Sequence, residues 1–126
     1  MAKEYQKFYQ LDIWKEAFDL QKEIFELTRQ FPSEERYGLI SQTNDSADSI
    51  LANIAESHGR FYFADKIRVL YIVRGELEET QSHILVAQSR KYMEKEICAK
   101  LIDRYEKLKM KINVYIGDLM RQKGKQ

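Results

Sequence analysis

The sequence predicts an all-α protein, an antiparallel up-down-up-down four-helix bundle, and three observations predict it. One proline and five glycines in 126 residues leave room for long uninterrupted helices. Apolar residues recur at spacings of three and four along four successive stretches, the period of a helix face rather than of a strand. The connections between those stretches are short, which sets consecutive helices antiparallel. With 44% hydrophobic and 33% charged residues, residues 1–126 suit a single domain that buries a core without disulfides or a structural metal.

Helix one is predicted over about 12–31, where Ile13, Ala17, Leu20, Ile24, Leu27 and Phe31 form a bundle seam. A second stripe through Leu11, Trp14, Phe18 and Phe25 makes the apolar arc wider than one seam needs. That surplus either widens the core contact or makes Trp14, Phe18 and Phe25 a subunit interface. Proline disfavours helix at Phe31, and Ser33 is placed to cap a second helix over about 34–57, with acids in its first turn. Ile40, Thr43, Ala47, Ile50 and Ile54 face inward there, and Gly59 is the expected stop.

Helix three is predicted over about 61–89, with Leu70, Val73, Leu77, Thr80, Ile84 and Ala87 inward. Gly75 falls in its middle at a cost of about 1 kcal/mol relative to alanine, so tight packing of another helix on that bare backbone is the expected compensation. Helix four, about 93–122, places Ile97, Leu101, Leu108, Ile112, Tyr115 and Leu119 inward, and residues 123–126 form a frayed tail.

A polar stripe runs along helix two. Ser49, Asn53, Glu56 and Arg60 lie at spacings of four, three and four and share one face. The stretch that carries them, Ser49-Ile-Leu-Ala-Asn-Ile-Ala-Glu-Ser-His-Gly-Arg60, resembles the S-I-P-A-N-I-A-E-G-x-G-R signature of the small proteins encoded in intervening sequences of 23S ribosomal RNA genes. Leu11-Asp-Ile-Trp14 with Ala17 is similar to that family's L-x-V-W-x-x-A opening, and Phe31-Pro-Ser-Glu-Glu-Arg-Tyr-Gly-Leu39 to its F-P-x-E-E-R-Y-G-L turn. Leu70-Tyr-Ile-Val-Arg-Gly-Glu-Leu77 is similar to L-Y-I-A-R-G-S-L, so that Arg74 and Glu79 join Ser49, Asn53 and Glu56 as signature polar residues. The resemblance implies a left-handed bundle assembling into a ring, typically a homopentamer, with a role in binding nucleic acid. A distant relative is the accessory protein of diversity-generating retroelements, which partners a reverse transcriptase and RNA.

The chain departs from that pattern at informative places. Leu51 replaces the signature proline and Ser57 its first glycine, changes expected to straighten and lengthen helix two. The family's basic pair in Q-L-R-R-A-A is absent, since this chain reads Gln42-Thr-Asn-Asp-Ser-Ala47. Asn44 and Asp45 cannot contact phosphate as a basic pair would.

Charge is divided between the halves of the chain. Residues 1–59 carry six basic and eleven acidic side chains, and residues 60–126 carry fifteen and nine, so a net +1 conceals −5 and +6. Such a dipole steers an anionic partner or favours head-to-side self-association. Lys100, Arg104, Lys107 and Lys111 form a continuous basic stripe on helix four, extended by Lys109, Arg121, Lys123 and Lys125. It is either a salt-sensitive phosphate-binding surface or a solvated face with Asp103 and Glu106 interleaved. Arg60 either pairs with Glu56 or meets a phosphate beside Gly59. Tyr62, Tyr71, Tyr105 and Tyr115 offer base stacking or core filling, and Arg68 and Arg74 with Glu78 or Glu79 form a charge cluster.

Catalysis finds no motif. His58 and His83 lie outside the Glu-x-x-His arrangement of di-iron bundles, and no phosphate-cradling loop or nucleophile elbow is present. The lone Cys98 has no cysteine partner for a disulfide or a metal site and is expected to be a small residue on a helix. No apolar run approaches the roughly 20 residues of a membrane span, and the opening Met-Ala-Lys-Glu-Tyr-Gln has no apolar signal core. The expectation is a cytoplasmic, non-enzymatic homo-oligomer that binds RNA or a ribonucleoprotein, without cofactor, metal, membrane or small-molecule substrate. The alternative is a structural ring or protein-binding module with no nucleic acid.

Overall fold

The computed structural model describes residues 5–125, so the first four residues of the expected domain and the last residue of its tail lie outside the described residues. Four helices account for most of the rest: α1 (Asp12–Thr28), α2 (Ser41–Gly59), α3 (Phe63–Ser89) and α4 (Lys95–Lys123). No strand occurs among the described residues. Each helix packs on the next and α1 returns to α4, the arrangement expected of the antiparallel up-down-up-down bundle. α2 packs most extensively on α3, where the small inward residues Ser46, Ala47 and Ser57 let the two backbones approach.

Periodicity located the inner faces of α1, α2 and α3. Ile13, Ala17, Leu20 and Ile24 of α1, Thr43, Ala47, Ile50 and Ile54 of α2, and all six expected residues of α3 are buried. On α4 the seam runs through Cys98, Leu101, Tyr105, Leu108, Ile112, Ile116 and Leu119, which corrects two positions. Ile97 is exposed and Cys98 takes the inward place, because the smaller side chain fits against α3 with Sγ 3.3 Å from the Ile84 carbonyl. Ile116 replaces Tyr115, which is half-buried on the flank.

The helix ends differ from expectation for local reasons. α1 stops at Thr28 rather than Phe31, because Phe31 leaves the helix to bury its ring against Tyr92 at 5.3 Å between centroids. Ser33 does not cap α2. A short 3-10 turn (Ser33–Glu35) leads into a wide π-type turn (Arg36–Ile40), and it is Glu35 that accepts from the Leu39 amide at 3.3 Å. Glu35 also accepts from Arg90 at 2.7 Å and Tyr92 at 3.0 Å, tying this turn to the one between α3 and α4. Burial pushes the Glu35 carboxyl up, but the hydrogen bonds from Tyr92, Leu39 and Arg90 outweigh it and hold it below its ordinary value. Gly38 permits the close approach, since a Cβ there would meet Glu35 Oε1 at 3.0 Å.

α2 ends at Gly59 with no left-handed residue; Arg60 simply turns extended at φ −72° and ψ 145°. The left-handed residue is instead Lys91, at φ 64° between α3 and α4. α3 begins at Phe63 and α4 at Lys95, each about two residues later than expected, and Lys123 closes α4 instead of opening the tail. Arg121 and Lys123 in that last turn complement the helix dipole. Gly75 is exposed, and a Cβ built on it meets nothing within 4 Å, so no helix of this chain packs on its backbone.

The stretch that lost the family's basic pair builds internal hydrogen bonds. Asn44 Nδ2 donates to Thr28 Oγ1 and to the Ile40 carbonyl, both at 2.8 Å, joining α2 to α1. Thr80 Oγ1 lies 2.8 Å from Ser46 Oγ, joining α3 to α2 in the core. Ser57 donates to the Lys66 carbonyl at 2.8 Å, so the residue in place of the signature's first glycine staples the end of α2 to the start of α3.

Candidate nucleic-acid and subunit interfaces

Two residues of the basic stripe of α4 reach across to α1, and Lys100, Lys107 and Lys111 are exposed. Arg104 pairs with Glu23 of α1, Lys111 with Asp12 of α1 at 2.9 Å, and Lys107 with Asp103 at 3.0 Å. Hydrogen bonding to Asp12 raises the Lys111 ammonium above its ordinary pKa. Lys109 bridges Glu106 at 2.7 Å and Glu78 of α3 at 3.3 Å. Lys100 alone of the four stripe residues has no carboxylate within 4.0 Å among the described residues. A phosphate arriving here would displace pairs already made, so the stripe acts first as the zipper between α4 and α1.

The signature polar residues do not converge on one site. Asn53 donates back to the Ser49 carbonyl at 2.9 Å, and Arg60 pairs with Glu56 at 2.7 Å across the end of α2. On α3, Glu79 lies 3.6 Å from His83, while the Arg74 guanidinium stands 5.9 Å from the Tyr71 ring centroid. The expected Arg68 and Arg74 cluster with Glu78 or Glu79 does not form within the chain: Arg68 reaches Asp65 at 3.9 Å and Glu78 serves Lys109.

The second apolar stripe of α1 divides. Leu11 is buried and Trp14 half-buried, but Phe18 and Phe25 are 38% and 48% exposed, more than core widening would leave. Trp14 and Phe18 stack at 5.1 Å, with Phe8 edge-on to Trp14 at 5.5 Å. Lys22 and Arg29 lie over the Phe18 and Phe25 rings at 5.0 and 5.8 Å. Phe8, Trp14 and Phe18 thus form one aromatic group with Phe25 two turns further along α1, and Asp19 and Glu26 beside them pair locally with Lys22 and Arg29.

Of the four tyrosines named for stacking, Tyr105 is core, Tyr115 is half-buried, and Tyr62 and Tyr71 are exposed. Burial drives the Tyr105 phenol well above its ordinary pKa, and its hydroxyl has no hydrogen-bond partner among the described residues.

A richer group gathers where α1 and α3 begin and α2 and α4 end. Phe61 and Tyr62, in the turn between α2 and α3, are 83% and 63% exposed and stand edge-to-face at 5.0 Å. Tyr5 is held on His58 at the end of α2, with 3.4 Å from Tyr5 Oη to His58 Nδ1 and 2.8 Å from His58 Nε2 to the Gln6 carbonyl. Lys66 donates to the His58 carbonyl at 2.7 Å, and burial lowers its ammonium pKa. Among the described residues Lys7, Lys15, Lys66, Lys123 and Lys125 at this pole have no carboxylate within 4.0 Å, whereas Asp12, Glu56, Asp65 and Asp118 are each already paired and Glu16 alone is not. Sequence reading singled out Arg60 and Tyr62 but passed over Tyr5, Phe61, Lys7, Lys15 and Lys66, because the members sit in loops and on four different elements. The signal was the short run Arg60-Phe-Tyr-Phe-Ala-Asp-Lys66, where three consecutive aromatics lie between two cations just as the helical period lapses.

Among the described residues no group of three or more His, Cys, Asp or Glu could hold a metal ion, and no helix is long and apolar enough to cross a membrane. An open groove between α1 and α4 is lined by Asp19, Glu23, Leu27, Ile97 and Arg104.

Comparison with known proteins follows the same lines. No curated protein matches the chain. The fold is similar to a crystal structure of a protein of unknown function from the S23 ribosomal protein family of Bacteroides thetaiotaomicron VPI-5482, with a TM-score of 0.76 and 21% identity over 83% of this chain and 95% of that one. The model of the 23S rRNA-intervening sequence protein family matches residues 9–114, from the turn before α1 to the last third of α4. Bundle order, opening motif, proline turn and α2 signature all lie within that span, and the chain belongs to the 23S rRNA-intervening sequence protein family.

Proposed function

We propose that this protein is a non-enzymatic, cytoplasmic homo-oligomer that binds RNA or a ribonucleoprotein electrostatically. The observation that carries the RNA-binding part is the local excess of unpaired cations: Lys7, Lys15, Lys66, Lys123 and Lys125 share one pole with a single unpaired acid, Glu16, among the described residues. Cations without carboxylate partners remain available to phosphate and release its counterions on binding. The α4 stripe is subordinate in this reading, contributing Lys100 and, by exchange, Lys107; Arg104 and Lys111 are committed to α1. Self-association is assigned to Trp14, Phe18 and Phe25, whose exposed rings lie on the acidic half of the chain and so meet a neighbour's basic half favourably. A homopentamer is the assembly the family resemblance implies.

Electrophoretic mobility shift with structured RNA at two salt concentrations tests the binding. Affinity that collapses as salt rises supports it; no shift even at low salt leaves a structural ring, the reading that the neutralised α4 stripe favours. Light scattering tests assembly. A mass near a multiple of 15.1 kDa is expected, falling toward one subunit when Phe18→Ser and Phe25→Ser are combined, while a wild-type monomer would refute the interface.

A further inference from the structure

We infer that the pole formed by Tyr5, Lys7, Arg60, Phe61, Tyr62 and Lys66 is a seat for single-stranded nucleic acid, in which unpaired bases stack on the Phe61 and Tyr62 rings while the cations hold the flanking phosphates. The inference rests on the RNA-binding reading and adds to it the site and the strandedness. Aromatic rings 83% and 63% exposed contribute little to the core, and these two are supported from below. The Ser57 hydroxyl fixes the two helix ends across the turn at 2.8 Å, and Lys66 grips the His58 carbonyl at 2.7 Å. The turn between α2 and α3 is therefore short and braced, and the rings are presented rather than loosely hung.

The rings stand nearly perpendicular, at 84°, so the edge of one meets a single face of the other, and at 83% and 63% exposure the remaining faces are open to a base. Base stacking needs a base whose own face is open. In a duplex the bases are stacked on each other and present only edges and phosphates, so aromatic rings at a turn gain nothing there, whereas unpaired bases lie flat on them. The charge around the rings suits the occupant. Arg60 is held by Glu56 in a half-exposed pair that a phosphate can replace, and Lys7 and Lys66 lack carboxylate partners among the described residues. Tyr5, 73% exposed and anchored on His58 at 5.2 Å between ring centroids, extends the stacking surface toward the leading segment of the chain.

Fluorescence anisotropy with a short labelled RNA of unstructured sequence, the same sequence as DNA, and the RNA duplex tests the seat on the intact protein. Wild type is expected to prefer either single strand over the duplex. Phe61→Ala with Tyr62→Ala should weaken single-strand binding about tenfold or more and leave duplex binding within about twofold, since phosphate contacts alone hold the duplex. Phe61→Tyr should retain affinity, and Lys95→Glu, at the opposite pole where α4 begins, should change it little. Both rings are exposed, and circular dichroism confirms that the variants fold. Single-strand binding unchanged in the double alanine variant would overturn the seat and leave the RNA-binding reading standing. No binding of any oligonucleotide by wild type at low salt would overturn both. Equal affinity for the two single strands shows a seat that reads bases and phosphates, and weaker DNA binding adds a contact to the ribose hydroxyl; both support it.

Discussion

Tyr105→Phe removes one oxygen from the middle of the bundle, and the structure fixes the sign of its effect. Tyr105 is 1% exposed, and its hydroxyl finds no hydrogen-bond partner among the described residues. A buried polar group left without a partner costs about 1–3 kcal/mol of desolvation. Phenylalanine keeps the ring and its packing against the core while shedding that cost, offset in part by the contacts the oxygen made. A net stabilisation of about 1 kcal/mol follows, or about 3–5 °C in the unfolding midpoint for a domain of this size. Urea and thermal unfolding followed by circular dichroism measure it, at one fixed protein concentration so that the proposed self-association does not enter the comparison. Alkali provides a second handle. Burial raises the Tyr105 pKa in the folded state above its ordinary value near 10, so its contribution is whole below that value and is lost as pH rises beyond it, when only the unfolded chain gives up the proton. The phenylalanine variant should lose less stability above that point. A variant less stable than wild type by more than about 1 kcal/mol would mean that the hydroxyl is partnered, and would refute the reasoning.

Other substitutions probe the features that set the helix ends. Lys91→Gly, at the left-handed turn before α4, should stabilise by about 0.5 kcal/mol, since relief of the backbone clash exceeds glycine's entropic cost; chemical denaturation giving a loss would show that the Lys91 side chain is needed. Gly75→Ala should add about 1 kcal/mol, because the position is exposed and a Cβ meets nothing within 4 Å; a destabilised variant, or one with reduced mass in light scattering, would place another subunit on that backbone. Glu35 should contribute to acid lability. Its carboxyl lies below its ordinary pKa, so its stabilisation is present above the ordinary carboxylate range and is lost as pH falls through the lowered value. Burial raises the pKa of Asp48 and Glu76, which act in the opposite sense in that range. Glu35→Gln should therefore flatten the acid limb of a stability-against-pH curve, and an unchanged limb would discount the contacts to Arg90, Tyr92 and Leu39.

Helix faces were legible in the sequence wherever the apolar repeat was unambiguous, as in α3, where Leu70 through Ala87 fell inward as spaced. It misled on α4 because hydropathy favours Ile97 over Cys98, while the core beside Ile84 has room for the smaller side chain. Helix ends were harder to read. Phe31 and Glu35 obey tertiary demands, one for burial against Tyr92 and one for a three-way hydrogen bond to residues more than fifty positions away or across a turn. Asn44 shows the same limit, since a residue that looks like a lost surface contact is an interhelical lock to Thr28.

The surfaces divided in the same way. Spacing found the cations of α4 but not their partners Asp12 and Glu23, which come from the far end of the chain and turn a binding stripe into an internal zipper. At the pole, Arg60, Phe61, Tyr62 and Lys66 are neighbours in sequence, and the fold adds Tyr5 from the far end of the chain through its contact with His58.

Ultraviolet crosslinking of wild-type protein to unstructured RNA, with the adducts mapped by peptide mass spectrometry, tests most directly where the nucleic acid lies. Adducts on Phe61, Tyr62 and Tyr5 at the α2 and α3 turn are the predicted result. Adducts confined to the α4 stripe around Lys100 and Lys107, or the absence of any adduct at low salt, would contradict it.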